Sequence, residues 1–146
     1  MLFGSFSAFW ATLIYLMQTP SFGLGARAVG LFGLLGAGAA LATPWIGGLT
    51  DKKDPRHATG LMMIVTILSF IIFIIAEHSL IGLAIGVLIM DIGVQSGHLC
   101  NQGRIFSLLP DSRSRIQTAY MFCYFTGGAL GSFIGTWSWS HYQWKG

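Results

Sequence analysis

Five long apolar stretches fill this sequence, and they decide what kind of structure it can adopt. They fall at about 2–18, 28–48, 58–76, 80–102 and 115–137. Each is near the ~20 residues a helix needs to cross a bilayer, the first at the short limit. Membrane strands would show short alternating segments instead, and none occur. Composition agrees: 53% of the side chains are hydrophobic and 9% charged, against about 25% charged in a soluble domain. So little charge cannot solvate the surface of a 146-residue globule. Two cysteines are too few for a disulfide scaffold, and the chain is too apolar for disorder. The expected fold class is therefore all-α integral membrane. One helical bundle covers residues 1–146, with no separate soluble domain.

The connections carry the matching punctuation. Thr19, Pro20 and Ser21 break the first helix from the second. Asp54 before Pro55 reads as an N-cap followed by proline at the first helical position. Ser79 is placed to cap the fourth helix, and Ser114 with Gln117 predicts a capping box opening the fifth. Basic residues then set orientation. Lys52, Lys53 and Arg56 lie in one loop, and Arg104, Arg113 and Arg115 in the next loop on the same side. Arg27 and Lys145 are the only basic residues opposite. The positive-inside rule makes the two basic loops cytoplasmic, with a cytoplasmic N-terminus and an external C-terminus. Topology thus accounts for the net charge of +3 without a nucleic-acid partner.

Met1-Leu2-Phe3 offers no basic leader, so residues 2–18 read as a membrane helix rather than a removable signal peptide. Trp137, Trp139, Tyr142 and Trp144 crowd together after the fifth helix, a pattern of headgroup-level aromatic belts.

Small residues identify the helices that pack tightly, because helices in lipid associate through close backbone approach. Gly127, Gly131 and Gly135 repeat every four residues in the fifth helix, flanked by Gly128, Ser132 and Thr136. The second helix repeats Gly36 with Ala40 and Gly38 with Ala42; the fourth repeats Gly82 with Gly86 and Gly93 with Gly97. The third helix has only Thr66 and Ser69 as polar breaks from Met62 to Ile75 and reads as a lipid-facing outer helix.

Asp91 is the acidic residue that must lie deep inside a span. It is about eleven residues from either end of the fourth helix, near the bilayer centre. A charge there costs about 3 kcal/mol on insertion scales and is rarely kept without a use or a partner. Gln95, His98 and Gln102 follow at offsets of four, seven and eleven. At 100° per residue the four side chains fall within about 60° of one another. The stripe runs about 16 Å toward the cytoplasmic side and should face a cavity or a neighbouring polar helix. It has two readings: a hydrogen-bonded packing group, or a pathway for protons or substrate with His98 as relay. No nucleophile elbow, zinc-protease motif or phosphate loop occurs. His57, His78, His98 and His141 share no metal-ligand spacing with Cys100 and Cys123. No enzyme activity, metal or cofactor is expected.

The loop Gly47-Gly48-Leu49-Thr50-Asp51-Lys52-Lys53-Asp54-Pro55-Arg56-His57 resembles the signature loop of the major facilitator superfamily. Gly47, Asp51, Lys52 and Arg56 match by position; Asp54 replaces a glycine and His57 a base. These departures fit the weaker copy of the loop between the eighth and ninth helices of such transporters. Asp91-Ile92-Gly93-Val94-Gln95, Asn101-Gln102, Leu109-Pro110-Asp111-Ser112-Arg113-Ser114-Arg115 and Phe125-Thr126-Gly127-Gly128-Ala129-Leu130-Gly131-Ser132 resemble the tenth and eleventh helices of bacterial drug/proton antiporters and efflux members. Phe6-Ser7-Ala8-Phe9-Trp10 is similar to their seventh helix.

This resemblance implies helices seven to eleven of a twelve-helix fold, in which two six-helix halves rock around a central site. It implies a bacterial inner-membrane location and proton-coupled efflux of an unidentified small molecule. It makes Asp51, Lys52 and Arg56 candidate cytoplasmic gate residues, with Arg113 or Arg115 as partners for Asp51. Alternating access needs two bundles, so the chain is expected to be inactive without an N-terminal half. The alternative is a small multi-pass protein acting with a separate partner chain or as an oligomer.

Overall fold

The computed structural model describes residues 2–20, 22–50, 55–76, 78–108 and 112–145, with residues 25–26, 40–50, 55–56, 108 and 145 as backbone only. Five helices account for nearly all of it: α1 Leu2–Gln18, α2 Gly25–Thr50, α3 Pro55–Ile75, α4 Leu80–Leu108 and α5 Arg113–Tyr142. A 3-10 turn, Gln143–Lys145, follows α5. The expected number and order of helices hold. Two helices outrun their apolar stretches, α4 reaching Leu108 and α5 reaching Tyr142. Among the described residues, His57–Ile75 and Leu80–Ser107 are long and apolar enough to cross a membrane. Leu2–Gln18 and Arg27–Ala39 are shorter apolar helical segments.

The start signals divide. The Ser79 hydroxyl accepts the Gly82 backbone N–H at 3.2 Å, as an N-cap should. Pro55 opens α3, while Asp54 lies outside the described residues. The predicted Ser114–Gln117 capping box does not form. Helix α5 begins at Arg113, Ser112 occupies the N-cap without a side-chain hydrogen bond, and Gln117 is engaged elsewhere.

Packing builds two helix pairs joined by α2. Helices α3 and α4 run antiparallel, and glycines of α4 let α3 come close. A Cβ added to Gly93 would lie 2.6 Å from Thr66 Oγ1 and 3.2 Å from the Met62 carbonyl oxygen, and one on Gly97 3.3 Å from Met62 Cβ. Thr66 and Ser69 are buried here, and their hydroxyls donate within α3 to the carbonyls of Met62 (2.9 Å) and Thr66 (2.6 Å). The opposite side of α3 leaves Leu61, Ile64, Ile67, Leu68, Ile71 and Ile74 exposed, as expected for an outer helix.

Helices α1 and α5 run parallel. A Cβ on Gly131 would collide with the Gly4 backbone, and one on Gly135 would lie 2.9 Å from Ala8 Cα. The α5 ridge thus meets a matching four-residue repeat on α1. Gly127 differs, because a Cβ there meets nothing within 4 Å. Helix α4 is central. Leu83, Val87, Met90 and Val94 face Phe9, Leu13, Leu16 and Met17 of α1 and Phe32 of α2 in one apolar core.

The terminal aromatic residues do not form a uniform belt. Trp137 and Tyr142 are exposed, but Trp139 and Trp144 pack against the core. Trp144 turns inward because its indole N–H donates to the Phe73 carbonyl at 3.2 Å.

The α1–α5 seam makes a prediction. Gly131→Ala forces a methyl group into the Gly4 backbone and should destabilise the purified protein by about 1–3 kcal/mol. Gly127→Ala should change stability far less. Thermal unfolding of both variants in detergent checks this; equal effects would contradict the seam.

Candidate functional site

Asp91 lies on the inner face of α4 between Met90 and Val94, and is 3% exposed. Its carboxylate points at α2. A Cβ on Gly36 would sit 2.6 Å from Asp91 Oδ2 and 3.7 Å from Trp10 Cζ2. The bare backbone at Gly36 therefore makes room for the carboxylate, and Trp10 of α1 closes the same corner. Among the described residues Asp91 Oδ2 has no hydrogen-bond partner, nor do the Trp10 indole nitrogen and Ser96 Oγ, all three buried. Buried polar atoms are nearly always satisfied. The Asp91 carboxylate and the Trp10 ring thus border Gly36 together, each with a buried polar atom that makes no hydrogen bond among the described residues.

Further along α4 the stripe meets α5. His98 Nδ1 and the Tyr120 hydroxyl are 2.9 Å apart, and the Gln102 amide donates to Gln117 Oε1 at 2.9 Å. The His98 and Tyr124 rings lie 4.5 Å apart, and Tyr124 stacks on Phe3 of α1 at 4.0 Å. The backbones of α4 and α5 barely meet, so these side chains bridge the gap as struts. The stripe thus splits. Asp91 belongs to the α1–α2–α4 corner, whereas His98 and Gln102 belong to the α4–α5 gap. Gln95 lies half-buried between them.

The loop candidates are less fully placed. Asp51 and Lys52 lie outside the described residues; Gly47 and Arg56 are described only as helix backbone. Arg113 and Arg115 are exposed in the first turn of α5. A helix N-terminus favours negative charge, so two arginines there oppose the helix dipole and are not present for helix stability. Gly131 and Gly135 belong to the α1–α5 seam described above, whereas a Cβ at Gly127 meets nothing within 4 Å. Cys100 and Cys123 form no disulfide. Among the described residues no cluster of His, Cys, Asp or Glu is arranged to hold a metal.

Trp10, Gly36, Gln117, Tyr120 and Tyr124 complete the site beyond the α4 stripe. Gln117, Tyr120 and Tyr124 stand at offsets of three and seven, one helical face, so periodicity alone could have found them.

Over 144 residues the chain is 37% identical to the "Uncharacterized transporter YgaY" of Escherichia coli O157:H7, covering 99% of this chain and 36% of that protein. It is 27% identical over 146 residues to the "Probable transporter SCO4007" of Streptomyces coelicolor, covering 99% of this chain and 34% of that protein. The chain is similar to transporters. It spans about a third of the length of the curated relatives it matches. No protein-family model and no solved structure matches it. Almost the whole chain is similar to part of proteins named as transporters, and two of its helices are long and apolar enough to cross a membrane.

The α4–α5 struts make a second prediction. Tyr120→Phe removes the hydroxyl from His98 and should cost about 1 kcal/mol, with Gln117→Leu costing a similar amount. Each loss should disappear in a background that already lacks the partner side chain. Chemical denaturation of the single and double variants in detergent measures this; strictly additive losses would contradict the pairing.

Proposed function

We propose that residues 1–146 form part of the C-terminal lobe of a major facilitator superfamily transporter in the bacterial inner membrane. The proposed activity is export of a small molecule in exchange for protons, with Asp91 as the proton-binding group. The observation that carries this reading is the unpaired Asp91 oxygen in the interior of a helix long and apolar enough to cross a bilayer. Intramembrane carboxylates are costly and cluster on ion and substrate pathways. The bare backbone at Gly36 supports the same reading, because it lets the carboxylate lie directly against α2. Similarity to proteins named as transporters supports the activity class.

In this reading Asp91 takes a proton from one side and releases it to the other as the lobes rock. Trp10 borders the substrate, and the His98–Tyr120 and Gln102–Gln117 struts hold α4 and α5 together on the cytoplasmic side. Asp51, Lys52 and Arg56, with Arg113 or Arg115, gate that side. Both termini follow the positive-inside orientation, the N-terminus cytoplasmic and the C-terminus external. Transport is assigned to the complete two-lobe assembly, in which an N-terminal half supplies the opposing face of the cavity.

The test replaces the matching segment of the Escherichia coli relative with residues 1–146 and measures substrate-induced proton flux in inverted vesicles. A panel of amphipathic cations serves as probe. The chimera should carry flux, and Asp91→Asn should reduce it to background at normal membrane insertion. Gly36→Ala, which places a methyl group against the carboxylate, should reduce it in part. Flux that persists unchanged in Asp91→Asn would sink the coupling role.

A further inference from the structure

On the other side of α1 from Trp10, a cavity of about 350 Å³ lies where α1, α3 and the end of α5 meet. Its volume is at the lower end of the range for small-molecule sites. Half of the residues that line it are aromatic: Phe9, Phe70, Phe73, Trp139 and Trp144. The wall is preformed. Phe9 and Phe73 stack at 4.2 Å, and Trp144 packs edge-on to both while its N–H holds the Phe73 carbonyl.

Three observations define the ligand. First, among the described residues no Asp, Glu, Lys or Arg lines the cavity, and its wall is apolar and aromatic. The polar side chains lining it, apart from the indoles, are Thr12 and Gln143, and the Thr12 hydroxyl already bonds to the carbonyls of Ala8 and Phe9. Second, Ile74 belongs to the cavity wall and, at 63% exposure, to the apolar outer face of α3 formed by Ile67 and Ile71. The cavity therefore continues onto the surface that faces acyl chains when α3 spans a bilayer. Third, Gln143 is exposed beside Tyr142, at the end of the chain that carries exposed Trp137. Amphipathic aromatic side chains at a helix end favour the depth of lipid headgroups and esters.

We propose that this cavity is a lipid site, which takes one acyl chain of a bilayer phospholipid between α3 and α5 with its ester group at the Gln143 amide. The aromatic wall replaces neighbouring acyl chains, and the Gln143 N–H groups replace water at the ester carbonyl. The proposal rests on the membrane reading of the chain and is independent of Asp91.

The test reconstitutes the 146-residue chain into phosphatidylethanolamine and phosphatidylglycerol vesicles. These contain a small fraction of phospholipid with a photoreactive diazirine in the acyl chain, and crosslinks are mapped by peptide mass spectrometry. Labelling should concentrate on residues 70–74 and 139–144, several-fold above residues 61–68 of the same outer face. Thr12→Trp, which fills the cavity, and Ile74→Trp, which narrows its mouth at an exposed position, should each abolish the enrichment. Even labelling along α3, or an enrichment indifferent to both variants, would overturn the lipid site and leave the membrane reading intact. Release of the unlabelled chain from vesicles by alkaline washing would overturn the membrane reading and the lipid site together.

Discussion

Backbone contact between helices is the constraint on which this structure depends. Helices surrounded by lipid gain little by hiding apolar side chains from one another, so they associate where small residues let main chains touch. Gly131 against Gly4, Gly135 against Ala8, and Gly93 against Thr66 and Met62 are such places. They commit α5 to α1 and α3 to α4. Once those pairs are made, α4 is the helix with neighbours on several sides, and its inner face must be either apolar or functional. It is apolar at Leu83, Val87, Met90 and Val94, and acidic at Asp91.

The same pairing explains why polar side chains are grouped as they are. Helix α5 gives its small-residue ridge to α1 and keeps no backbone contact of note with α4. The space between α4 and α5 is wide enough for imidazole, phenol and amide groups, and His98, Tyr120, Gln102 and Gln117 bridge it. Each strut satisfies polar atoms that would otherwise be stranded in an apolar setting, at side-chain length rather than by close packing. Such bonds span the gap without closing it.

Much of this was legible in the sequence, because lengths and spacings are local properties. Five apolar runs became five helices, the Ser79 cap formed, and the outer face of α3 stayed exposed. Helix ends were less legible, since polar residues beyond Gln102 and Trp137 continue the helices without continuing their hydrophobicity. Partners were not legible at all. The Gly127–Gly131–Gly135 spacing announced a tight contact, but nothing in it named α1. The local spacing of Gln117 fits a cap, whereas Gln102, fifteen residues away, holds it in the fold. The polar stripe of α4 was visible as one line, yet its helix has different neighbours along its length, so the stripe serves two sites.

Asp91 is the residue on which the functional account turns. It lies over Gly36 with an oxygen that has no hydrogen-bond partner among the described residues, in a chain similar throughout to part of proteins named as transporters. A packing role and a proton-carrying role differ in one respect: only the second requires the carboxyl group to exchange its proton with solvent. Infrared difference spectroscopy of the reconstituted protein reads this directly. The account predicts a carboxyl C=O band that appears and disappears as the pH is cycled and is missing in Asp91→Asn. A spectrum of the wild-type protein that does not respond to pH, or a response that survives in Asp91→Asn, would contradict it.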